Sequence, residues 1–71
     1  MEKKRLLIAD ASEEFRMALQ EYLQDTYVIC SCREGNETLQ VLESFKPDVM
    51  IVNVMLPGVD GVTVLQRAEA R

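Results

Sequence analysis

The chain has 71 residues, of which 48% are hydrophobic and 28% are charged. This balance is ordinary for a globular protein and excludes a disordered tail, and the length allows one small domain. The formal net charge is −4 and the eight Lys and Arg residues are scattered, so the basic cluster that nucleic-acid binding requires is missing. We therefore expect one folded domain over residues 1–71 that does not bind DNA or RNA.

The sequence shows no export or membrane segment. The apolar run behind Lys3, Lys4 and Arg5 is interrupted by Asp10 after only four residues, 6–9. The two cysteines, Cys30 and Cys32, have no histidine to complete a zinc site with them, and a bridge between two residues on one face of a strand would be strained. We interpret them as free thiols and expect a soluble, cytoplasmic protein without membrane contact.

The first part of the chain predicts two strands joined by a helix. A short apolar run predicts a strand at residues 5–9 that is covered on both faces. Ser12 is a suitable N-cap for a helix at residues 13–24. The inward face of this helix would consist of Phe15, Ala18, Leu19, Tyr22 and Leu23. The β-branched and aromatic residues that follow predict a second strand at residues 27–31.

The second part predicts a helix, a strand and a last helix. Gly35 and Asn36 indicate a loop, and the helix at residues 37–45 ends before Pro47. Residues 49–54 form the most apolar run and predict a third strand buried on both faces. Pro57 and Gly58 suit the central positions of a type II turn, and Asp60 can cap a helix at residues 62–70. The residues expected to face the core are Leu39, Leu42 and Phe45 in the second helix and Val64, Leu65 and Ala68 in the last.

The order β-α-β-α-β-α predicts an α/β fold. Its sheet would be parallel, with helices on both faces and right-handed crossovers. Functional residues of such sheets gather at the carboxyl ends of the strands. Asp10 and Asn53 stand at two of these ends, so we expect a site there.

Two segments resemble the receiver domains of two-component response regulators. They are residues 5–16, RLLIADASEEFR, and residues 46–61, KPDVMIVNVMLPGVDG. The resemblance covers the first three of the family's five strand–helix units, and it implies a flavodoxin-like half-domain with strand order 2-1-3. It also implies phosphorelay signalling through a histidine kinase, a phosphotransfer protein or an output domain.

The resemblance further implies a phosphoacceptor site, from which this sequence departs twice. In the family, an acidic pair after strand one and an aspartate after strand three bind Mg²⁺, and the aspartate accepts the phosphoryl group. Asp10 matches the first acid, whereas Ala11 replaces the second and Asn53 replaces the phosphoacceptor. We therefore expect no catalytic residue, no stable phosphorylation and at best weak Mg²⁺ binding by Asp10. The residues of the loop bordering this site are Met55, Pro57, Gly58, Asp60 and Gly61.

Each polar residue of this site also has a structural interpretation. Asp10 would hydrogen-bond the backbone at the start of the first helix, which we favour over metal binding, and Asp60 would act as a helix cap rather than an acid. Asn53 would be either a functional or a satisfied structural amide. An engineered block of phosphorylation would explain Asn53 but leaves Ala11 unexplained, so we favour natural loss of the site.

Three functions remain open. The first is a pseudo-receiver that works by protein contact, and the second is a fragment or mutated version of a conventional phosphorylatable response regulator. The third is an unrelated small α/β enzyme or nucleotide binder, which the lack of a glycine-rich phosphate loop and of histidine disfavours.

The third strand has a further consequence. The family's fourth strand, and its Ser or Thr after strand four and Lys after strand five, lie outside the 71 residues, so strand three would present an open apolar edge. We expect a homo-oligomer formed through this edge or the adjacent helix face.

Overall fold

A computed structural model describes residues 2–70, so Met1 and Arg71 of the predicted domain lie outside the described residues. Strands and helices alternate along the chain: β1 (Lys4–Ala9), α1 (Glu13–Leu23), β2 (Tyr27–Cys32), α2 (Gly35–Phe45), β3 (Val49–Val52) and α3 (Gly61–Glu69). The three strands are parallel and ordered β2-β1-β3, which confirms the predicted class and topology. None of the helices within residues 2–70 is long and apolar enough to cross a membrane.

The central strand β1 carries the core on both of its faces. Leu6, Leu7, Ile8 and Ala9 are at most 1% exposed, as the unbroken apolar run predicted. Leu7 and Ala9 pack in one cluster with Leu42 of α2, Val64 of α3 and the loop residue Leu56. Leu6 and Ile8 point to the opposite face, since side chains alternate along a strand, and α1 is the helix that remains to cover them.

The prediction that strand three is buried on both faces was wrong. Val49 is 36% exposed and the other three residues of β3 are only half-buried. The strand also ends at Val52 rather than at residue 54. Its position explains the exposure, because β3 pairs only with β1 among the strands of residues 2–70 and so lies at the edge of their sheet.

The helix faces agree with the predictions in part. Leu42 is buried, and Leu39, Phe45 and Ala68 pack against the core cluster, as predicted. Val64 is also buried, but its neighbour Leu65 is 40% exposed. No residue of α1 is buried: Leu19 and Leu23 are half-buried, whereas Phe15, Ala18 and Tyr22 are exposed. A single helix touches the sheet only along the middle of its apolar stripe, so residues at the margins of the stripe stay in solvent.

Gly35 and Asn36, predicted as a loop, form the first turn of α2. The reason is tertiary: the Gly35 N–H donates to the carbonyl of Pro57 at 3.0 Å, and a Cβ on residue 35 would lie 1.7 Å from the Val59 carbonyl oxygen. The glycine thus permits the loop after β3 to lie against α2. Within that loop Gly58 has φ +75°, as the predicted type II turn requires.

Candidate functional site

Asp10 stands directly after β1, at the carboxyl end of the sheet. Its backbone N–H donates to the Cys32 carbonyl at 3.1 Å, which holds it beside the end of β2. Its side chain is only 9% exposed, and Oδ1 accepts a hydrogen bond from the Ser12 N–H at 2.8 Å. The backbone contact that we predicted for Asp10 at the start of α1 is therefore present.

Asn53 lies beside Asp10 because β3 pairs with β1. The Asn53 N–H donates to the Ala9 carbonyl at 2.9 Å, and its Nδ2 donates to Oδ2 of Asp10 at 3.2 Å. Its Oδ1 accepts from the Met55 N–H at 2.9 Å. Both ends of the amide group have partners, although residue 53 is exposed to solvent.

Asp10 supplies the carboxylate that lies against Asn53 at this end of the sheet. Ala11 contributes only a methyl group, and both oxygens of Asp10 already accept hydrogen bonds. Mg²⁺ takes an octahedral set of oxygen ligands, usually with one or two carboxylates among them. Within residues 2–70 no group of three or more His, Cys, Asp or Glu residues is placed to hold a metal.

Arg16 is a residue of this site that the sequence analysis missed. Its Nη1 donates to the backbone carbonyl of Asp10 at 2.7 Å, and its side chain is half-buried. The side chain reaches Asp10 because Arg16 lies one helical turn beyond Ser12, whose carbonyl accepts the Arg16 N–H. The six-residue spacing from Asp10 carries no recognisable signal, so only the packing of α1 on β1 reveals the contact.

Part of the loop after β3 borders Asn53. The Gly61 N–H donates to the Val54 carbonyl at 3.1 Å, and a Cβ on residue 61 would lie 2.3 Å from the Asn53 carbonyl oxygen. Met55 holds the amide through its backbone, while its side chain is 81% exposed.

Asp60 caps α3, as predicted. Its Oδ1 accepts from the Thr63 N–H at 2.9 Å. This hydrogen bond is the main reason that the pKa of Asp60 lies below its ordinary value. The side-chain bonds of Asp60 go to Thr63, so its polar contacts are those of a cap.

Pro57 and Gly58 belong to a different part of the same loop. The Pro57 carbonyl accepts from Gly35, and a Cβ on residue 58 would first meet the side-chain nitrogen of Asn36 at 3.3 Å. These two residues therefore shape the contact with α2. Of the six other residues predicted for the site, the structure brings Asp10, Met55 and Gly61 together around Asn53.

Cys32 does not provide a reactive nucleophile at this end of the sheet. Cys32, whose carbonyl accepts from Asp10, is buried, and this burial raises the pKa of its thiol to about 12. The thiol is consequently neutral near pH 7, whereas the thiolate is the nucleophilic form. Cys30 is half-buried, and both cysteines are free, as predicted.

Comparison with known proteins identifies the family. The model of the response regulator receiver domain matches residues 6–71. The chain belongs to this family. This receiver chain is also similar to the crystal structure of the signal receiver domain of an HD domain-containing protein from Pseudomonas fluorescens Pf-5, with a TM-score of 0.90 and 30% identity. The alignment covers 99% of this chain and 57% of that structure.

Two curated relatives contain a segment similar to this receiver chain. One is a protein-glutamate methylesterase/protein-glutamine glutaminase of Caldanaerobacter subterraneus subsp. tengcongensis, 37% identical over 93% of this chain. The other is the alkaline phosphatase synthesis transcriptional regulatory protein PhoP of Bacillus subtilis, 34% identical over 90% of this chain. The chain spans only 19% and 27% of these relatives, so the activities in their names are those of much longer proteins.

Proposed function

We propose that this receiver chain is a pseudo-receiver: it works in two-component signalling by protein contact and does not accept a phosphoryl group on residue 53. The observation that carries the proposal is the amide of Asn53, which donates to Asp10 and accepts from Met55. An amide in this position forms a structural cross-link between β1 and β3.

The chemistry of phosphoryl transfer supports this interpretation. The family's reaction uses an ionised carboxylate as nucleophile and a metal ion that neutralises the phosphoryl oxygens. The nitrogen lone pair of an amide is delocalised and its oxygen is a poor nucleophile. With Ala11 in place of a second acid, Asp10 is left as the one carboxylate of the pair, and we propose that it binds Mg²⁺ weakly or not at all.

The partners that fit this proposal are proteins. By family analogy they are a histidine kinase, a phosphotransfer protein or an output domain, and the chain acts on them without catalysis of its own. The neutral, buried thiol of Cys32 fits a cytoplasmic location, where cysteines stay reduced.

A second candidate function follows from the coverage of the relatives. The chain spans 57% of the receiver structure from Pseudomonas fluorescens and about a quarter or less of the two curated relatives. It therefore also fits a piece of a conventional response regulator in which residue 53 has been changed. In that case the whole regulator would be phosphorylated once an aspartate is restored at residue 53.

Treatment with acetyl phosphate and Mg²⁺, followed by intact mass spectrometry, tests the proposal. We expect no phosphoryl adduct on the chain. The variant Asn53→Asp supplies a carboxylate at residue 53, and Asn36→Asp is its matched control, because it also converts an exposed amide to an acid but lies in α2. A covalent phosphate on residue 53 of the unaltered chain would overturn the proposal.

Magnesium binding gives a second measurement at the same site. The variant Ala11→Asp/Asn53→Asp restores three carboxylates, so Mg²⁺ should raise its thermal midpoint. The unaltered chain and the Asn36→Asp control should show no such rise at the same Mg²⁺ concentration. A tight Mg²⁺ complex of the unaltered chain would contradict the proposed weakness of Asp10 as a ligand.

A further inference from the structure

Cys30 and Cys32 form a pair of thiols on one face of β2, because side chains two residues apart in a strand point to the same side of the sheet. Their register partners in β1 are Leu7 and Ala9, which both belong to the core cluster that includes Leu42 of α2. Cys32 is part of this cluster and is 1% exposed, whereas Cys30 packs against it and is half-buried. One thiol of the pair therefore lies in the core and the other at its margin.

The two thiols are close neighbours, but their spacing does not suit a disulfide. Burial is the main cause that raises the pKa of the Cys32 thiol, and Cys30 is the next, both by its charge and by a side-chain hydrogen bond. The two residues lie about 6.6 Å apart along the strand, at about 3.3 Å per residue, and their Cα–Cβ bonds are parallel. A disulfide needs its two Cβ atoms about 3.8 Å apart, so a direct bond would distort β2.

A metal ion with two ligands fits the same spacing. A metal–sulfur bond is about 2.3 Å long, so a linear sulfur–metal–sulfur unit spans about 4.6 Å. Each sulfur atom then needs to lean only about 1 Å from its position above the strand toward the other. Soft cations with a filled d shell, such as Cu(I), prefer thiolate ligands and accept two of them in a line. The spacing that strains a disulfide is therefore suitable for a metal bridge.

We propose that Cys30 and Cys32 bind one soft cation of the Cu(I) type between their sulfur atoms. This site goes beyond the proposed function and does not depend on it. A structural Zn²⁺ ion takes four ligands, and within residues 2–70 no group of three or more His, Cys, Asp or Glu residues is placed to hold a metal, so the pair favours Cu(I) over Zn²⁺. The ion enters at the half-buried thiol of Cys30 and then bonds to the buried thiol of Cys32.

Binding of the ion displaces protons from the thiols. The thiolate is the metal ligand, and the Cys32 thiol, with its pKa of about 12, is protonated near pH 7. As the bond between the ion and the Cys32 sulfur forms, the S–H bond breaks and the proton passes to water, with no change in the oxidation state of the ion. The affinity for Cu(I) should therefore rise about tenfold per pH unit for each thiol proton that is released.

The carboxylate of Glu37 in α2 opposes binding at this site. After burial and Cys30, its negative charge is the next cause that raises the pKa of the Cys32 thiol. One monovalent cation with two thiolates is an anionic unit, so the same carboxylate repels it. Glu37 also accepts the Arg33 N–H at 2.9 Å through Oε1, and glutamine keeps an oxygen for this bond. The variant Glu37→Gln should consequently bind Cu(I) several-fold more tightly, although it adds no ligand.

Titration of the reduced chain with Cu(I) in the absence of oxygen, in competition with a coloured Cu(I) chelator, tests the site. Each chain should withdraw one Cu(I) ion from the chelator, and X-ray absorption should show two sulfur ligands. The matched control is Cys30→Ser/Ser31→Cys, which keeps two thiols but turns one of them to the opposite face of β2. This variant should bind Cu(I) at least about a hundredfold more weakly, because it offers the ion one sulfur instead of two.

Three results would overturn the inference. The first is a chain that withdraws no Cu(I) from the chelator, and the second is a Cys30→Ser/Ser31→Cys variant that binds as tightly as the unaltered chain. The third is one ion per two chains, detected as a dimer by sedimentation velocity, because the ion would then bridge two copies. If the cysteine variant does not fold, Glu37→Gln decides, since it leaves both thiols in place: tighter binding supports the site, and unchanged or weaker binding refutes it.

Discussion

The two ends of the sheet tie β1 to β3 by different chemistry over the same sequence separation. At the amino end, Asp48 accepts the Arg5 N–H at 2.8 Å, and the Asp48 N–H donates back to the Arg5 carbonyl. The Arg5 guanidinium also donates to the Phe45 carbonyl and lies 4.4 Å from the centre of the Phe45 ring. At the carboxyl end, the neutral amide of Asn53 donates to the carboxylate of Asp10 at 3.2 Å.

The comparison shows how an amide in place of an acid at residue 53 changes the role of the carboxyl end of the sheet. An acid at residue 53 would put two carboxylates side by side, and like charges at that distance need a cation or a proton between them. The amide removes the repulsion and supplies a donor. With the amide present, the carboxyl end, where the family carries out phosphoryl transfer, is joined by a structural hydrogen bond, as the amino end is by the bond between Arg5 and Asp48. Variants at both ends of the sheet, taken in order of expected effect, test this comparison.

The largest effect is expected at the carboxyl end for Gly61→Ala. A Cβ on residue 61 would lie 2.3 Å from the Asn53 carbonyl oxygen, and backbone on both sides must shift to admit it. We expect a loss of about 3 kcal/mol in the free energy of unfolding, measured by urea denaturation. A loss below about 1 kcal/mol for Gly61→Ala would mean that the loop backbone around residue 61 can shift at little cost in free energy.

At the amino end, Lys46→Gly should have the opposite effect and raise the free energy of unfolding by up to about 1 kcal/mol, because Lys46 has φ +52°.

The next effect is expected at the amino end for Asp48→Ala. The Arg5 N–H loses its acceptor, and we expect a loss of about 1–2 kcal/mol in the free energy of unfolding. Asp25→Ala is the matched control, since Asp25 is an exposed acid in the turn between α1 and β2, and its effect should stay within about 0.5 kcal/mol. Equal effects of the two variants would show that the bond to Arg5 contributes nothing measurable.

A smaller effect is expected for Asn53→Asp. Two carboxylates in place of the amide–carboxylate bond should cost about 1 kcal/mol at neutral pH, a modest value because residue 53 is exposed. The repulsion between the two carboxylates disappears once one of them is protonated, so the lost stability should return at acidic pH. Urea denaturation at neutral and acidic pH measures this recovery. Asn36→Asp should lack this recovery. An Asn53→Asp variant that is as stable as the unaltered chain at neutral pH would contradict the proposed cross-link between Asp10 and Asn53.

The smallest effect is expected for Asp60→Asn. The Thr63 N–H lowers the pKa of Asp60 below its usual 3.8, so the ionised cap contributes stability above that value and loses it as the pH falls through the lowered pKa. Asparagine also accepts at an N-cap but does not titrate there. The variant should keep nearly full stability at neutral pH and show a weaker acid dependence of the urea midpoint. A variant whose urea midpoint depends on acid as strongly as that of the unaltered chain would mean that a group other than Asp60 causes the acid dependence.

Local features of this chain could be predicted from its residues. The caps Ser12 and Asp60, the positive φ of Gly58 and the buried run of β1 depend on a few neighbouring residues, and the structure has all of them. The alternation of strands and helices determined the parallel topology, because crossover connections allow few alternatives. The neighbouring positions of Asp10 and Asn53 depend on the strand order 2-1-3, which the resemblance to receiver domains implied.

Other features were decided only by the tertiary structure. The exposure of β3 and Leu65, the helical start at Gly35 and the reach of Arg16 to Asp10 depend on which element lies beside which. An apolar run has the same sequence at the centre of a sheet and at its edge, and a glycine signals a loop or a close approach equally well. Burial and close contact are properties of a pair of elements, and the second member of each pair becomes known only when the chain has folded.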